Sequence, residues 1–456
     1  MLHPRALLVA ALVGLALPGR AAACKTLAVT KDPSPFAHFT TIQQAVNRAK
    51  PCDWILVAPA IYRESVVIRK AHIHLRGLNR NTVIVDGRHR KGSNGIVVDG
   101  VNDVWVENLT VRNFDRSSRD DDRAGNQIWW NGGDESGKIG LRGWHGNWLT
   151  VYDDGLLGGY GLFSANAVGG EWNHVYASGF NDSGLYIGAC PDCRAAVSNA
   201  LVERNAVGYS GTNSGGHLVV QDSVFRNNSV GVVPNSLPND QPPPQLGTCD
   251  AASNTTPTPT IASTAVARCT IFRRNRIVDN GNLSTPANST TAQLPSGVGF
   301  LLLGAYGDLV QNNVITGNTN FGLLGIENPV PFPPTPKTVY FQLSGNKVLD
   351  NTLGGSKVAD LAFEGGLFGS KQSVNNCFSG NRLETSLPAD LTAWDCANAT
   401  TPNADSATSG QVFDAVVQLS TQSRKRVPRP QPAPLPQPTM PQPCIGPPGR
   451  SPLCYG

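Results

Sequence analysis

From residue 54 onward the chain is built of short aliphatic runs punctuated by Gly, Asn, Asp and Pro. They include Trp54-Ile55-Leu56-Val57, Val66-Val67-Ile68, Ile73-His74-Leu75, Val83-Ile84-Val85, Ile96-Val97-Val98 and Val104-Trp105-Val106. None is long enough for a core helix, and the β-branched content predicts strands. Ahead of them Ile42, Ala45, Val46 and Ala49 fall at helical spacing behind Thr41, whose hydroxyl can cap orphan amides, so one short amphipathic helix is predicted.

The strand pattern repeats as far as about residue 395. Asn275 to Asn280, Asn313 to Asn318 and Asn346 to Asn351 each place two asparagines five apart around an aliphatic pair, and weaker copies end at Asn205 and Asn227. Glycines precede strands at Gly184, Gly208 and Gly231, which sets the shortest period at 22 to 24 residues. Such a unit cannot bury its own apolar face, so successive units must stack as rungs of a solenoid, each adding about 4.8 Å. Asparagine suits the corners, because it tolerates left-handed backbone and can bond to its copy in the next rung. Proline-rich insertions from Pro234 to Pro259 and from Asn328 to Lys337 lengthen some repeats.

The ends differ from the middle. Residues 1–23 carry basic residues, an apolar run from Ala6 to Leu17 and Ala21-Ala22-Ala23, the pattern of a secretory signal, with the mature start at Cys24. A lipid anchor at Cys24 is the alternative, but the usual large aliphatic residue three places earlier is missing. The solenoid domain is expected over 24–400, and a capping segment over 401–423, where Val412, Val416, Val417 and Leu419 suggest a helix over the open end. The remainder, 424–456, opens with Arg424-Lys425-Arg426 and carries eleven prolines between Pro428 and Pro452, as a solvated polyproline tail would.

With 40% hydrophobic residues among 456, the chain can bury a sizeable core. A net charge of only +4, with no basic stripe interleaved with aromatics, argues against a nucleic-acid partner. No later apolar run spans a bilayer, and an exported monomer is expected. Ten cysteines fall into neighbouring couples: Cys24 with Cys52, Cys190 with Cys193, Cys249 with Cys269, Cys377 with Cys396, and Cys444 with Cys454. In an exported chain these predict local disulfides rather than a zinc site.

The stretches Thr41-Ile42-Gln43-Gln44-Ala45-Val46, Trp54-Ile55-Leu56-Val57-Ala58-Pro59, Tyr62-Arg63-Glu64, Leu75-Arg76-Gly77 and Val83-Ile84-Val85-Asp86-Gly87 closely resemble the opening of pectin-lyase-like proteins. The asparagine repeats extend the resemblance over roughly residues 27 to 395. It implies an all-β, single-stranded right-handed parallel β-helix, with an N-terminal capping helix and a Pro-rich C-terminal tail. It also implies a leaning toward polysaccharide hydrolase, lyase or epimerase chemistry, which the fold alone does not decide. The signatures of the polygalacturonase-like, epimerase-like and pectate-lyase-like enzymes are not matched; only Tyr152-Asp153-Asp154-Gly155, after His145-Gly146, comes near the first.

Residues 115 to 190 hold five of the eight tryptophans: Trp129, Trp130, Trp144, Trp148 and Trp172, together with Tyr152, Tyr160, Tyr176 and Tyr186. Among Val- and Ile-rich rungs, this density of rings suggests an open face on which sugars stack; the competing reading is that the rings fill the interior. Trp129, Trp130, Trp144, Trp148, Trp172 and Tyr186 are therefore the substrate-binding candidates. Glycosidic hydrolysis needs two carboxyl groups, one protonated and one ionised. Asp153, Asp154, Glu171 and Asp182 are the acid and base candidates, with His145 and His174 as modulators. Adjacent aspartates on a regular strand diverge, so Asp153 and Asp154 can share a site only at a bend, which Gly155 permits. In the lyase or epimerase alternative, Lys138, Arg142, His145 or Tyr152 takes a proton beside a uronate carboxylate. The third reading is a non-catalytic solenoid that binds polysaccharide or cell-envelope glycan. No cofactor is required by any of these motifs; Asp120-Asp121-Asp122 is a weak calcium candidate, flanked by Arg119 and Arg123.

Overall fold

The computed structural model describes residues 24–32, 39–118, 121–133, 138–238, 256–257, 265–266, 269–286, 290–331, 335–365, 375–389, 391, 396, 406–423, 427–449 and 451–455. The expected signal segment, residues 1–23, lies outside them. Three long parallel sheets of twelve, ten and eleven strands form the molecule. Each coil of chain gives one strand to each sheet in that order, so a strand bonds to its counterparts one coil away: Trp54–Val57 with His74–Gly77, and that strand with Val104–Glu107. This is a right-handed parallel β-helix, the handedness that parallel crossovers take. The corner from the twelve- to the ten-stranded sheet turns in two residues in most coils, as from Val57 to Ala60 and from Glu107 to Thr110.

The N-terminal end is closed by helix α1 (Ile42–Arg48). Thr41 Oγ1 accepts from the Gln44 amide, the Glu64 carboxylate accepts from the Ile42 and Gln43 amides, and Ile42, Ala45 and Val46 are buried. The asparagine repeats form two side-chain ladders. Asn275, Asn313, Asn351 and Asn381 bond in series at the corner between the twelve- and ten-stranded sheets. Asn205, Asn228, Asn280 and Asn318 do so at the next corner. The third sequence motif is out of phase with the first two. Asn275 and Asn313 precede strands of the ten-stranded sheet, whereas Asn346 precedes Lys347–Leu349 of the twelve-stranded sheet and joins Asn376 instead. One spacing thus serves two different corners.

Cys24–Cys52, Cys190–Cys193, Cys377–Cys396 and Cys444–Cys454 are bridged, as the couples implied. Cys269 is also disulfide-bonded, and its expected partner Cys249 lies outside the described residues. No described helix is long and apolar enough to cross a membrane.

Both C-terminal segments pack along the side of the solenoid. Helix α2 (Ser406–Ser423) does not sit over the open end: Val412 and Leu419 pack on Val230, Leu301, Leu324 and Ala362, the outward face of the eleven-stranded sheet. That face is apolar and needs a cover more than the short terminal rung does. The proline-rich tail is extended but not free. It runs back along the molecule, from Arg429 and Gln431, bonded to the Ser284 carbonyl, through Gln437 on Asn81 and Thr439 on Asn108, to the first rung, where Thr26 Oγ1 donates to the Pro448 carbonyl. Its prolines cannot donate, so donors on the solenoid fill the role: the Arg80 guanidinium reaches the Pro438 carbonyl, and that of Arg76 reaches the carbonyls of Pro443 and Ile445.

Candidate active site

The carboxylates expected to share one site do not all meet. Asp153 and Asp154 follow the strand Thr150–Tyr152 at the corner leading from the ten- to the eleven-stranded sheet. The chain bends there as anticipated, and both side chains reach one imidazole ring that the sequence reading did not single out, His89. Nδ1 of His89 is 3.6 Å from Asp153 Oδ1 and 3.4 Å from Asp115 Oδ1, while Nε2 is 2.9 Å from Asp154 Oδ1. A side chain at position 155 would put its Cβ 2.9 Å from the His89 ring, which is why the bend carries glycine.

Three successive rungs build this cluster. His89 lies in Val83–Lys91, Asp115 ends Thr110–Asp115, and Asp153 follows the next strand. Pairing between the first two strands slips between Asp86 and Arg90, and Arg88 and His89 both take left-handed φ, of 53° and 56°. Arginine seldom takes such backbone, whereas histidine takes it more readily. The slip aims the imidazole at Asp115 instead of along the outer face. Beside it, Arg112 bonds the Tyr152 hydroxyl at 2.6 Å and Asp86 at 2.9 Å.

The electrostatics separate the carboxyls. Asp153 is buried and its Oδ2 accepts from the Gly158 amide; burial, reinforced by the Asp115 charge, pushes its pKa up to about 7. Asp115 is also raised, chiefly by burial. For His89 burial acts downward, but the charges of Asp153, Asp115 and Asp154 outweigh it and hold the imidazole above its usual value. Asp154 is half-buried and the most accessible of the three carboxylates.

One residue beyond Asp115, the buried Arg116 leads toward a groove of about 480 Å³ between the eleven-stranded sheet and α2. Its guanidinium is 3.0 Å from Asp122 and 3.4 Å from Asp182, and lies over the Tyr160 ring. Tyr160, Phe163 and Tyr186 form one aromatic wall, and Ser210, Thr212 and Asn235 contribute polar atoms. Trp129 stacks on Phe163 behind that wall.

The other candidates lie elsewhere. Trp130, Trp144 and Trp172 fill the solenoid interior, where their rings touch one another at centroid distances of 4.9 to 6.1 Å, so they offer nothing to a sugar. Gly146 makes room for the indoles of Trp172 and Trp130, and Gly170 for that of Trp144. Trp148 stacks on His174 at a corner of the twelve-stranded sheet, and burial lowers the His174 pKa. His145 is buried on the outer side of that sheet, last in a column of stacked rings with Trp54, His74 and Trp105. Burial takes its pKa to about 3, with Glu171 3.9 Å away and itself raised by burial. Asp182 is paired with Arg116 and lines the groove, apart from Asp153 and Asp154. Lys138 and Arg142 are exposed before and within Leu141–Asn147. Asp121 and Asp122 turn to different partners, Arg123 and Arg116, while Asp120 lies outside the described residues.

No protein-family model matches the chain, and no curated protein matches it. Among solved structures, it is similar to the mannuronan C-5 epimerase AlgE6 A-module of Azotobacter vinelandii, at 13% identity over 75% of this chain and 82% of that one, with a TM-score of 0.44. Pectin methylesterase PemA from Erwinia chrysanthemi follows at 13% identity over 72% and 90%, TM-score 0.34. The tailspike protein of E. coli bacteriophage HK620 gives 9% identity over 78% and 64%, TM-score 0.46.

Proposed function

We propose that this protein is an exported polysaccharide hydrolase whose chemistry is carried by His89, Asp115, Asp153 and Asp154. The observation behind this reading is the single imidazole contacted on opposite nitrogens by two carboxyls, one buried and one half-buried. The buried Asp153 holds a proton near neutrality, and Asp154 holds the imidazole in place through Nε2. A proton passing from His89 Nε2 to a glycosidic oxygen is replaced at Nδ1 from Asp153, while the attacking water, which approaches the opposite face of the sugar, gives its proton to solvent; acid transfer of this kind contributes about 10²- to 10⁴-fold. The adjoining groove, with its tyrosines and hydroxyls, supplies glycan binding through ring stacking and hydrogen bonds. The disulfides fit an oxidising compartment outside the cytosol.

Lyase chemistry is the second reading. The observation favouring it is the cationic rim of Arg88, Arg90, Lys91 and Arg112 around His89, which suits an anionic polymer. Incubating the purified chain with neutral and uronic-acid polysaccharides separates the two. New reducing ends without unsaturated products support hydrolysis, unsaturated ends support elimination, and binding without either reduces the protein to a glycan-binding solenoid.

A further inference from the structure

We infer that His89 Nδ1, Asp115 Oδ1 and Asp153 Oδ1 form a binding site for one divalent transition-metal ion, of which zinc is the best-fitting representative. All three atoms lie within 4.8 Å of one another. The two nitrogen–oxygen separations, 3.4 and 3.6 Å, match the edges of a tetrahedron of about 3.4 Å that follows from bonds of about 2.0–2.2 Å.

Two further observations point to a ligand. Asp153 is fully buried, yet its Oδ1 has no hydrogen-bond partner, although its Oδ2 is held by the Gly158 amide. A buried carboxylate oxygen left bare and facing an imidazole nitrogen is costly unless something fills the gap between them. The second is the far side of the ring. Asp154 takes up Nε2 at 2.9 Å, which fixes the imidazole with Nδ1 turned toward the two aspartates. A carboxylate behind a histidine is the usual means of orienting a metal ligand and raising its basicity. The donor set of one imidazole nitrogen and two carboxylate oxygens favours zinc or manganese over calcium, which takes six to eight oxygens. The fourth position faces solvent, since His89 is the partly exposed member.

The site stands on this geometry alone; its catalytic consequence rests on the hydrolase reading. An ion on Nδ1 removes the atom through which Asp153 passes its proton to His89, so zinc blocks the relay and acts as an inhibitor of the apo enzyme.

The test is calorimetric titration of zinc, with calcium and magnesium in parallel, into the full mature chain stripped by chelator. One zinc per chain is expected, bound about tenfold or more tighter than calcium. Affinity should fall about tenfold in Asp154→Asn and by more in His89→Ala and Asp115→Asn. Circular dichroism checks that each variant folds; if Asp115→Asn does not, the exposed His89→Ala carries the test. Other histidine–aspartate pairs, His72 with Asp103 and His217 with Asp192, can take stray zinc, so binding that survives in folded His89→Ala overturns the site. Tighter calcium than zinc overturns it too. Reducing-end assays on the same samples keep the two readings apart. Hydrolysis by stripped protein that zinc suppresses supports both. Hydrolysis without zinc binding overturns the metal site alone, and hydrolysis that requires zinc leaves the site standing and overturns the proton relay.

Discussion

Nε2 of His89 lies 2.9 Å from Oδ1 of Asp154, two residues 65 apart in sequence that the coil brings to one corner. The contact orients a ring whose other nitrogen faces a buried acid. Asp154→Asn keeps the shape and removes the charge. Hydrolysis should fall by about 10²- to 10⁴-fold, with thermal stability within about 0.5 kcal/mol of wild type, as measured by reducing-end release and melting.

Asp153 should oppose stability as pH rises. Its folded pKa of about 7 lies above the ordinary 3.8, so the folded state retains a proton that the unfolded chain releases across that interval. The contribution of the protonated carboxyl is complete below about pH 4 and is lost as pH climbs through about 7. Relative to wild type, Asp153→Asn should therefore gain stability between pH 4 and 8, by a few kcal/mol at most. Urea denaturation at the two pH values measures the difference; a gap that stays constant would contradict the assignment.

The two sets of rings should respond oppositely to truncation. Trp172→Ala empties an interior site and should cost about 3–5 kcal/mol while leaving glycan affinity intact at temperatures where the variant is folded. Tyr186→Ala, on the groove wall, should weaken glycan binding about tenfold, the equivalent of one stacking contact of about 1.4 kcal/mol. Denaturation and affinity electrophoresis on both variants check this.

Asn108 holds the tail. Its Oδ1 accepts from Thr439 Oγ1 and the Met440 amide, while its Nδ2 donates to the Gly77 carbonyl. Asn108→Ala should cost about 1–3 kcal/mol and speed hydrogen exchange at the Met440 amide.

Much of this architecture was legible because rung position is written in local spacing. The asparagine couples, the strand runs and the cysteine couples each depend on neighbours along the chain. The site was half legible. Asp153 and Asp154 stood out beside Gly155, but His89 and Asp115 contribute from the two preceding rungs, and nothing local marks them. Rung alignment alone would not have brought them together either, because the register of Thr150–Tyr152 on Thr110–Arg112 puts Asn113, not Asp115, over Asp153. The tryptophans misled because an indole in a strand carries no mark of which side it faces. Trp130 points inward and its neighbour Trp129 outward, a matter of one residue in register. Nor could composition show that a proline-rich tail has a dock; that depended on Arg76, Arg80, Asn81 and Asn108 presenting donors in a row.

An open stack of repeats melts by fraying, since each unit answers only to its neighbours. Here the segment from Arg429 to Pro448 runs from the Ser284 turn back to the first coil, so distant coils are tied together: the first cannot peel away without disturbing that segment. Unfolding should then be a single cooperative event rather than a progressive one. During synthesis, the earliest coils must wait, partly uncovered, until residues 427–449 have been made.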